Sequence, residues 1–437
     1  MIEKKQGDKL KKTGVSLFSG GGFGDMGFSK SGVKHLVLAE KDPERAAFAA
    51  RQFPNSRVLA IDLATEAGDV VSITRKLLRQ QNVSNPHLLY ATPPCQGLSK
   101  NGIGSILKSI SDGKREKVDQ RNRLYEPFLE CASELKPTWI FFENVCRLFN
   151  FRDVDRDGAV RTLPEIIEGH LSSIGYAGSI EKVEMADYGL PQKRLRSVGI
   201  FRLKEGFSFP EKTSFIPPVK FLEHERKTLR ETISHLEHLD AADNASRRSI
   251  HNHLHSVPKW RGELYNWMKH TPEGKSAFFN NECSHCSYVN ENSDINCARC
   301  GSLLYKPTVL RDGKRGLIKG FVSAYKRMYW DKPASTVTTR SAYCCSDHKA
   351  HPDQNRVLSI YEVALLQGID VEAVNWEKDG GGCYPDTLLR ELIGECVPTS
   401  FTELVGAHMD QIDADLVSER EGQSWNHLAR EKQMSMF

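Results

Sequence analysis

No stretch of this 437-residue chain approaches the ~18–20 consecutive apolar residues that a membrane-spanning helix needs. The N-terminus, MIEKKQGDKLKK, is basic but lacks the apolar centre of a secretory signal. These two absences set the expectation of a cytoplasmic protein with no membrane partner. Internal repeats and low-complexity tracts are missing as well, which argues against solenoids and disordered scaffolds. Strong net charge of either sign is also missing, and the value of +4 identifies no partner by itself. What remains is a globular composition, 39% hydrophobic and 27% charged, long enough for two or three domains. Eleven cysteines inside a cell point to thiol chemistry and metal rather than disulfides. Charge is concentrated locally. Lys100–Arg123 carries seven Lys/Arg against three Asp/Glu, and Arg311–Arg327 carries six against one. Such runs suit phosphate contacts, or are simply solvated faces.

The stretch Leu89–Asn101, LYATPPCQGLSKN, organises the rest. A strand-like run ends at Thr92, and two prolines stop its continuation because each fixes φ and lacks an N–H. Cys95 follows at the tip of the turn, with Gln96, Gly97 and Ser99 beyond it. A thiol stiffened from one side and polar on the other suits a nucleophile. A small buried turn residue is the alternative. The Gly/Ser/Lys-rich segment from Gly102 to Arg123 has no apolar period and is expected to be a mobile loop.

Upstream, TGVSLFSGGGFGDMG reads as a short strand and a glycine turn near a helix N-terminus. A second strand ends in Glu40 and a third in Asp62. In an open parallel sheet these strand ends share one edge, where ligands sit, and a nucleoside-bearing cofactor is the natural occupant. The expected elements continue with a helix at Arg45–Phe53, a helix at Val70–Gln81, a fourth strand at His87–Ala91 and a helix at Arg123–Leu135. The fifth strand, Trp139–Phe142, runs into Glu143, whose burial is expected to raise its pKa and suit it to acid catalysis; a capping or salt-bridged Glu is the alternative. After a helix at Leu163–Ile174, strands Tyr176–Asp187 and Ser197–Arg202 flank YGLPQKRLR. Alternation there would point Arg194 and Arg196 to one side, able to grip phosphate or a carbonyl oxygen.

Beyond Lys204 the pattern loosens. Leu229–Asn244 reads as a helix. His251, His253 and His255 alternate along IHNHLHSV as a polar strand face rather than a metal site. Asp331–Ser341 is β-rich. Val357–Gly368 regains helical spacing, Leu388–His408 is apolar and punctuated by Gly394 and Pro398, and Asp410–Phe437 reads as a peripheral helix or tail. Cys283, Cys286, Cys297 and Cys300 form two C-x2-C pairs matching tetrahedral zinc, with a redox pair as the alternative. The spacing resembles RanBP2-type zinc fingers, with Asn290 in the spacer as in that family and Asn281 where its Trp usually stands.

In order, the segments FSGGGF, LAEKD, PPCQGLS, FFENV, QKRLR, NRVLSIYEVALLQGI and LIGECVPTSF resemble the DNA (cytosine-5) methyltransferase family, over Gly14–Arg202 and Asp331–His408. The resemblance implies an α/β fold: a Rossmann-like S-adenosylmethionine-dependent methyltransferase domain, with a small target-recognition domain containing the zinc finger inserted in it. The implied boundaries are 1–204 and 356–437 for the catalytic domain and 205–355 for the insert, with the finger at 283–300. Cys95 would attack C6 of a flipped cytosine, Glu143 would contact N3 and the amino group, and Arg196 with Arg194 would hold the O2 side. Phe18, Gly20, Gly22, Glu40, Asp62 and Val397 would line the S-adenosylmethionine site, with Gln96 and Ser99 against DNA. Glu395 and Lys41 depart from the family pattern. The implied partner is double-stranded DNA, with a cognate restriction endonuclease as a functional rather than physical partner, and the implied state is a monomer. A tRNA cytosine-5 methyltransferase on the same scaffold is the alternative, and a regulatory nucleic-acid-binding protein without turnover is a third reading.

Overall fold

Apolar runs of four to seven residues alternate with capped helical segments through the first third of the chain, and this alternation builds a mostly parallel sheet. The computed structural model describes residues 12–94, 123–155, 157–210, 212–242, 245–320, 322–345 and 348–420. The described chain divides into two units, Met1–Val183 with Leu195–Pro218 and Val397–Phe437, and Glu184–Arg194 with Val219–Cys396.

The first unit holds strands β1 (Thr13–Leu17), β2 (Lys34–Glu40), β3 (Arg57–Ala60), β4 (Leu88–Ala91) and β5 (Trp139–Val145). Val15, Leu17, Val37, Leu89, Ile140 and Phe141 on these strands are wholly buried, as expected where helices cover both faces of a parallel sheet. The intervening helices are α1 (Phe23–Lys30), α2 (Pro43–Gln52) and α3 (Leu63–Gln80). Asp42 caps α2 by accepting the Glu44 and Arg45 N–H groups, with Pro43 at the first helical position. Asp62 caps α3 through Ala64, which starts that helix seven residues before Val70. α4 (Tyr125–Leu135) stops at Lys136, held at φ 45° ahead of Pro137. The hairpin of β6 (Arg152–Val154) and β7 (Val160–Thr162) leads into α5 (Leu163–Ser173), opened by a Thr162–Glu165 capping box. β8 (Tyr176–Glu184) and β9 (Leu195–Leu203) close the sheet.

The sheet order is β3-β2-β1-β4-β5-β9-β8. β1 runs parallel to β2 and β4, β2 to β3 and β4 to β5, whereas β9 is antiparallel to β5. The order reverses between β1 and β4, and a crevice for ligands opens at the carboxyl ends of strands at such a switch point. The α/β, Rossmann-like expectation holds. Helix Thr399–Arg420 completes this unit from far along the chain. Its Thr399 and Thr402 hydroxyls donate to the Phe23 and Gly24 carbonyls of α1 at 2.9 and 2.8 Å. Asp413 accepts from the Trp139 indole and the Arg202 guanidinium.

The second unit is less regular. It holds short helices at Leu229–Ile233, Leu264–Lys269, Ile360–Leu366 and Asp386–Glu395, and the two-stranded ribbon β10 (Thr308–Arg311) and β11 (Lys314–Leu317). Three expectations are corrected here. The helix read over Leu229–Asn244 ends at Ile233. Residues 331–341 begin and end in turns and join no ladder beyond a single bridge, Gln192 to Ala334. The histidine run forms no strand: His251 and His253 are exposed, and His255 is a buried core residue between the Ser359 hydroxyl and the Glu237 carbonyl. The unit joins Glu184–Arg194 to Val219–Cys396.

Candidate active site

The glycine turn after β1 is held in an unusual conformation by its neighbours. Phe18 has φ 59°, Gly20 φ 55° and Gly22 φ 80°. A phenylalanine there costs roughly 1–2 kcal/mol, so the surroundings must enforce it. The Ser19 N–H donates to the Ala39 carbonyl at 3.0 Å and the Thr92 hydroxyl to the Phe18 carbonyl at 3.1 Å, tying the turn to the ends of β2 and β4. A Cβ at Gly20 would meet nothing within 4 Å, so the backbone there borders open space. Gly22 differs. A Cβ at that position would lie 2.6 Å from the Phe53 ring, which gives this glycine a packing role.

Glu40 links the turn to the next loop. Its Oε2 accepts the Gly20 N–H and its Oε1 the Asp42 N–H, both at 2.9 Å. Each carboxylate oxygen has a further lone pair, so both can still take hydroxyl donors. Asp62 is engaged by Lys41 at 2.5 Å, and that hydrogen bond holds its carboxyl below the usual range. Lys41 therefore has a defined task beside Glu40. Val397 is buried. An open glycine edge beside a carboxylate with acceptor capacity fits the ribose-bearing portion of S-adenosylmethionine.

At the other side of the switch point, β5 and β9 run antiparallel with Val145 opposite Arg196 and Glu143 opposite Val198. Arg196 is thus diagonal to Glu143 on one face, within reach of a long side chain. Its Nε lies 3.1 Å from Glu143 Oε1, and Glu143 is 6% exposed. Glu143 is thus buried and ion-paired. Asn144, on the opposite face of β5, donates from Nδ2 to the Pro93 carbonyl at 3.2 Å and caps its own strand end through Val145 N–H. This clamp on the turn before Cys95 was not read from the sequence. Its only signal was the position of Asn144 next to Glu143, where period-two alternation sends it to the other face.

Arg194 is corrected. It precedes β9, is 1% exposed, and donates from its guanidinium to the carbonyls of Val337, Gly394 and Cys396. These bonds make it a brace within the second unit, not a companion of Arg196. Gln192 is similar, buried and bonded to Leu366, Gln367 and Val337. Cys95, Gln96, Ser99 and nearly all of Lys100–Arg123 lie outside the described residues. Arg123 itself pairs with Asp153.

In the second unit, the Cys283, Cys286, Cys297 and Cys300 sulfurs all lie within 4.8 Å of one another. The pairs Cys283–Cys300 and Cys286–Cys297 are 3.6 Å apart. A tetrahedron of thiolates at the zinc–sulfur distance of ~2.3 Å has edges of about 3.8 Å, so the donor set fits that ion. Two like-built knuckles deliver it. Bridges Glu282–Val289 and Asn296–Leu303 flank them, and Ser287 and Gly301 take left-handed φ of 55° and 74° at matching places. The buried Asn290 side chain joins the knuckles, donating to Asn281 and Tyr288 and accepting from Ala298 N–H. All four cysteines are free thiols.

The family model for C-5 cytosine-specific DNA methylase matches residues 13–411. Among curated proteins, the chain is 29% identical over 408 residues to the Type II methyltransferase M1.HgaI of Avibacterium volantium, covering 89% of this chain and 96% of that one. It is 29% identical over 397 residues to the Type II methyltransferase M1.HphI of Haemophilus parahaemolyticus, with 89% and 87% covered. Among solved structures, a putative DNA modification methyltransferase encoded within an E. coli prophage aligns with a TM-score of 0.52 at 18% identity, over 91% of this chain and 98% of that one. At such identity the likeness is one of fold. No helix among the described residues is long and apolar enough to cross a membrane.

Proposed function

Because the chain belongs to the C-5 cytosine-specific DNA methylase family, its reaction is methyl transfer to C5 of cytosine in DNA, and we propose that Cys95 opens that reaction by attacking C6 of the base. C5 of cytosine is a poor nucleophile. Addition of the Cys95 thiolate to C6 breaks the C5–C6 double bond and pushes its electron pair toward N3. Glu143 contacts N3 and the amino group and favours a proton there, which leaves C5 enamine-like. Arg196 holds the O2 side and orients the Glu143 carboxylate. Once C5 carries its new methyl group, loss of the C5 proton to a base, expulsion of the Cys95 thiolate and return of the N3 proton to solvent restore the ring. A thiol suits the first step because a hydroxyl is far less nucleophilic near neutral pH. C6 is shielded inside stacked duplex DNA, so the target base leaves the stack, with Gln96 and Ser99 against the opened strand.

When bound, S-adenosylmethionine supplies an electrophilic sulfonium methyl. Glu40 receives its ribose hydroxyls, Gly20 admits its approach, and Phe18, Asp62 and Val397 complete the pocket. The four clustered cysteines hold a structural zinc ion. The enzyme acts as a monomer in the cytoplasm, associated with the nucleoid, and protects a specific sequence against a cognate restriction endonuclease.

The observation that carries this reading is the buried Glu143 carboxylate held against Arg196, while the adjacent Asn144 fastens the turn that leads to Cys95. Duplex DNA containing 5-fluorocytosine tests it, since the C5–F bond cannot be lost as the C5 proton is. Wild-type protein with S-adenosylmethionine is expected to form a covalent DNA adduct, and Cys95→Ser none. A serine variant that methylates DNA at the parental rate would refute the assignment.

A further inference from the structure

The basic stretch Arg311–Arg327 is not one surface. Arg327 is buried and donates to the carbonyls of Thr271, His351, Gln354 and Met268. Arg315 is clamped on Glu263, at 2.8 and 2.7 Å from its two oxygens. The exposed cations that remain on the ribbon sit at its tip.

That ribbon is a two-stranded sheet with Thr308 opposite Leu317 and Arg311 opposite Lys314. Asp312 and Gly313, with φ of 49° and 74°, close it with the tight turn that suits hairpin twist. An isolated ribbon this short is marginal in water, so its base must be held. Arg315 bonds Thr308 across the strands at 2.9 Å as well as Glu263. Just before the ribbon, the buried Lys306 ammonium donates to the Glu291 and Asn292 carbonyls in the spacer of the four-cysteine knuckles, at 2.9 and 3.3 Å. Tyr305 stacks on His270 at 3.9 Å. The tip is different. Leu310 is 63% exposed, and Arg311 and Lys314 are exposed. Directly opposed like charges destabilise a ladder, and among the described residues neither cation has an acidic partner. An anionic partner would relieve that repulsion, and a two-stranded ribbon has the width of the DNA major groove.

We propose that the ribbon β10–β11, braced at its base by the cysteine knuckles through Lys306, is an element that enters the major groove of duplex DNA, with Arg311 and Lys314 on the nucleic acid and Leu310 against base edges. The proposal rests on the DNA-methylating function given above. The test uses the full chain. The double variant Arg311→Ala, Lys314→Ala is compared with wild type and with the double variant Lys76→Ala, Arg79→Ala on the exposed face of α3, which removes the same two charges. Binding to a 30-base-pair mixed-sequence duplex is followed against salt, and methylated cytosines are mapped on a plasmid from a host without cytosine methylation. Each phosphate contact contributes about 0.9 to the salt slope. The ribbon variant is expected to lower the slope by about 1 to 2 and to blur or abolish the methylated motif, while the α3 variant leaves both unchanged. An unchanged slope and motif in the ribbon variant, or an equal loss in the α3 variant, would overturn the proposal. A wild-type protein that marks no cytosine would instead sink the functional reading, and the salt slopes would still judge the ribbon.

Discussion

Asp25→Asn should stabilise the protein, and by more as pH rises. Asp25 lies in the first turn of α1 and His35 on β2; both side chains are wholly buried, with Oδ1 and Nδ1 3.3 Å apart. His35 Nε2 lies 3.1 Å from the Asp25 backbone carbonyl, which can only accept, so the imidazole proton sits on Nε2. Nδ1 of the neutral ring is then an acceptor facing a carboxyl, and the proton between them belongs to Asp25. Burial acts in the same sense on both groups, raising the carboxyl to about 8 and lowering the imidazole to about 4. The unfolded chain ionises Asp25 near pH 4, so between about pH 4 and 8 the folded state holds an Asp25 proton that the unfolded chain has lost, and Asp25's own contribution to stability falls with rising pH, while His35, lowered on folding, contributes in the opposite sense up to its ordinary range in both proteins. At ~1.4 kcal/mol per unit, the penalty is below about 1 kcal/mol at pH 4 and reaches about 4 kcal/mol at pH 7. Asparagine keeps the shape, offers an N–H to Nδ1 and does not titrate. Denaturant unfolding of both proteins at several pH values measures the difference, in which the contributions of other groups cancel. The gap in favour of Asn should widen from pH 4 to about pH 8 and then level off. A gap independent of pH, or a parent more stable at pH 8, would show that Asp25 is ionised in the fold and refute the reasoning.

Two glycines in one turn-and-helix segment should respond differently. Gly20→Ala meets only the ~1–2 kcal/mol of left-handed strain, so the protein folds but its S-adenosylmethionine affinity by calorimetry drops at least about ten-fold. At Gly27 a Cβ would lie 2.0 Å from the Thr402 hydroxyl and 2.2 Å from the Thr399 carbonyl, so Gly27→Ala should lower the melting temperature, with a loss of at least ~1–3 kcal/mol. Purified protein should contain one zinc per chain by elemental analysis. Cys297→Ser should abolish that content while S-adenosylmethionine binding survives, because the glycine turn and Glu40 belong to the other unit; a metal-free wild type would contradict the zinc assignment.

The first unit was legible because its strands are covered on both faces and therefore read as unbroken apolar runs; β1, β2, β4 and β5 stand within a few residues of where composition puts them. α3 began earlier than its apolar period suggested, since its first turn is polar and depends on the Asp62 cap. The four cysteines were legible from spacing, as tetrahedral geometry permits few alternatives. Arg194 was not. Its neighbours are carbonyls more than 140 residues away in sequence, and nothing local distinguishes a guanidinium that braces carbonyls from one that faces a substrate. Residues 331–341 misled for a related reason. Their side chains favour extended backbone, but a ladder also needs a partner strand, and propensity carries no information about whether one arrives.

Helix Thr399–Arg420 imposes a schedule on biosynthesis. The surface of α1 around Phe23, Gly24 and Gly27 emerges from the ribosome almost at once, yet the segment that roofs it comes nearly four hundred codons later, after the whole cysteine-bearing unit has been made. A nascent chain therefore carries an uncovered apolar flank until translation has passed the second unit. Premature termination anywhere before that helix leaves a sheet with one wall missing, a species suited to chaperones and proteases rather than to chemistry.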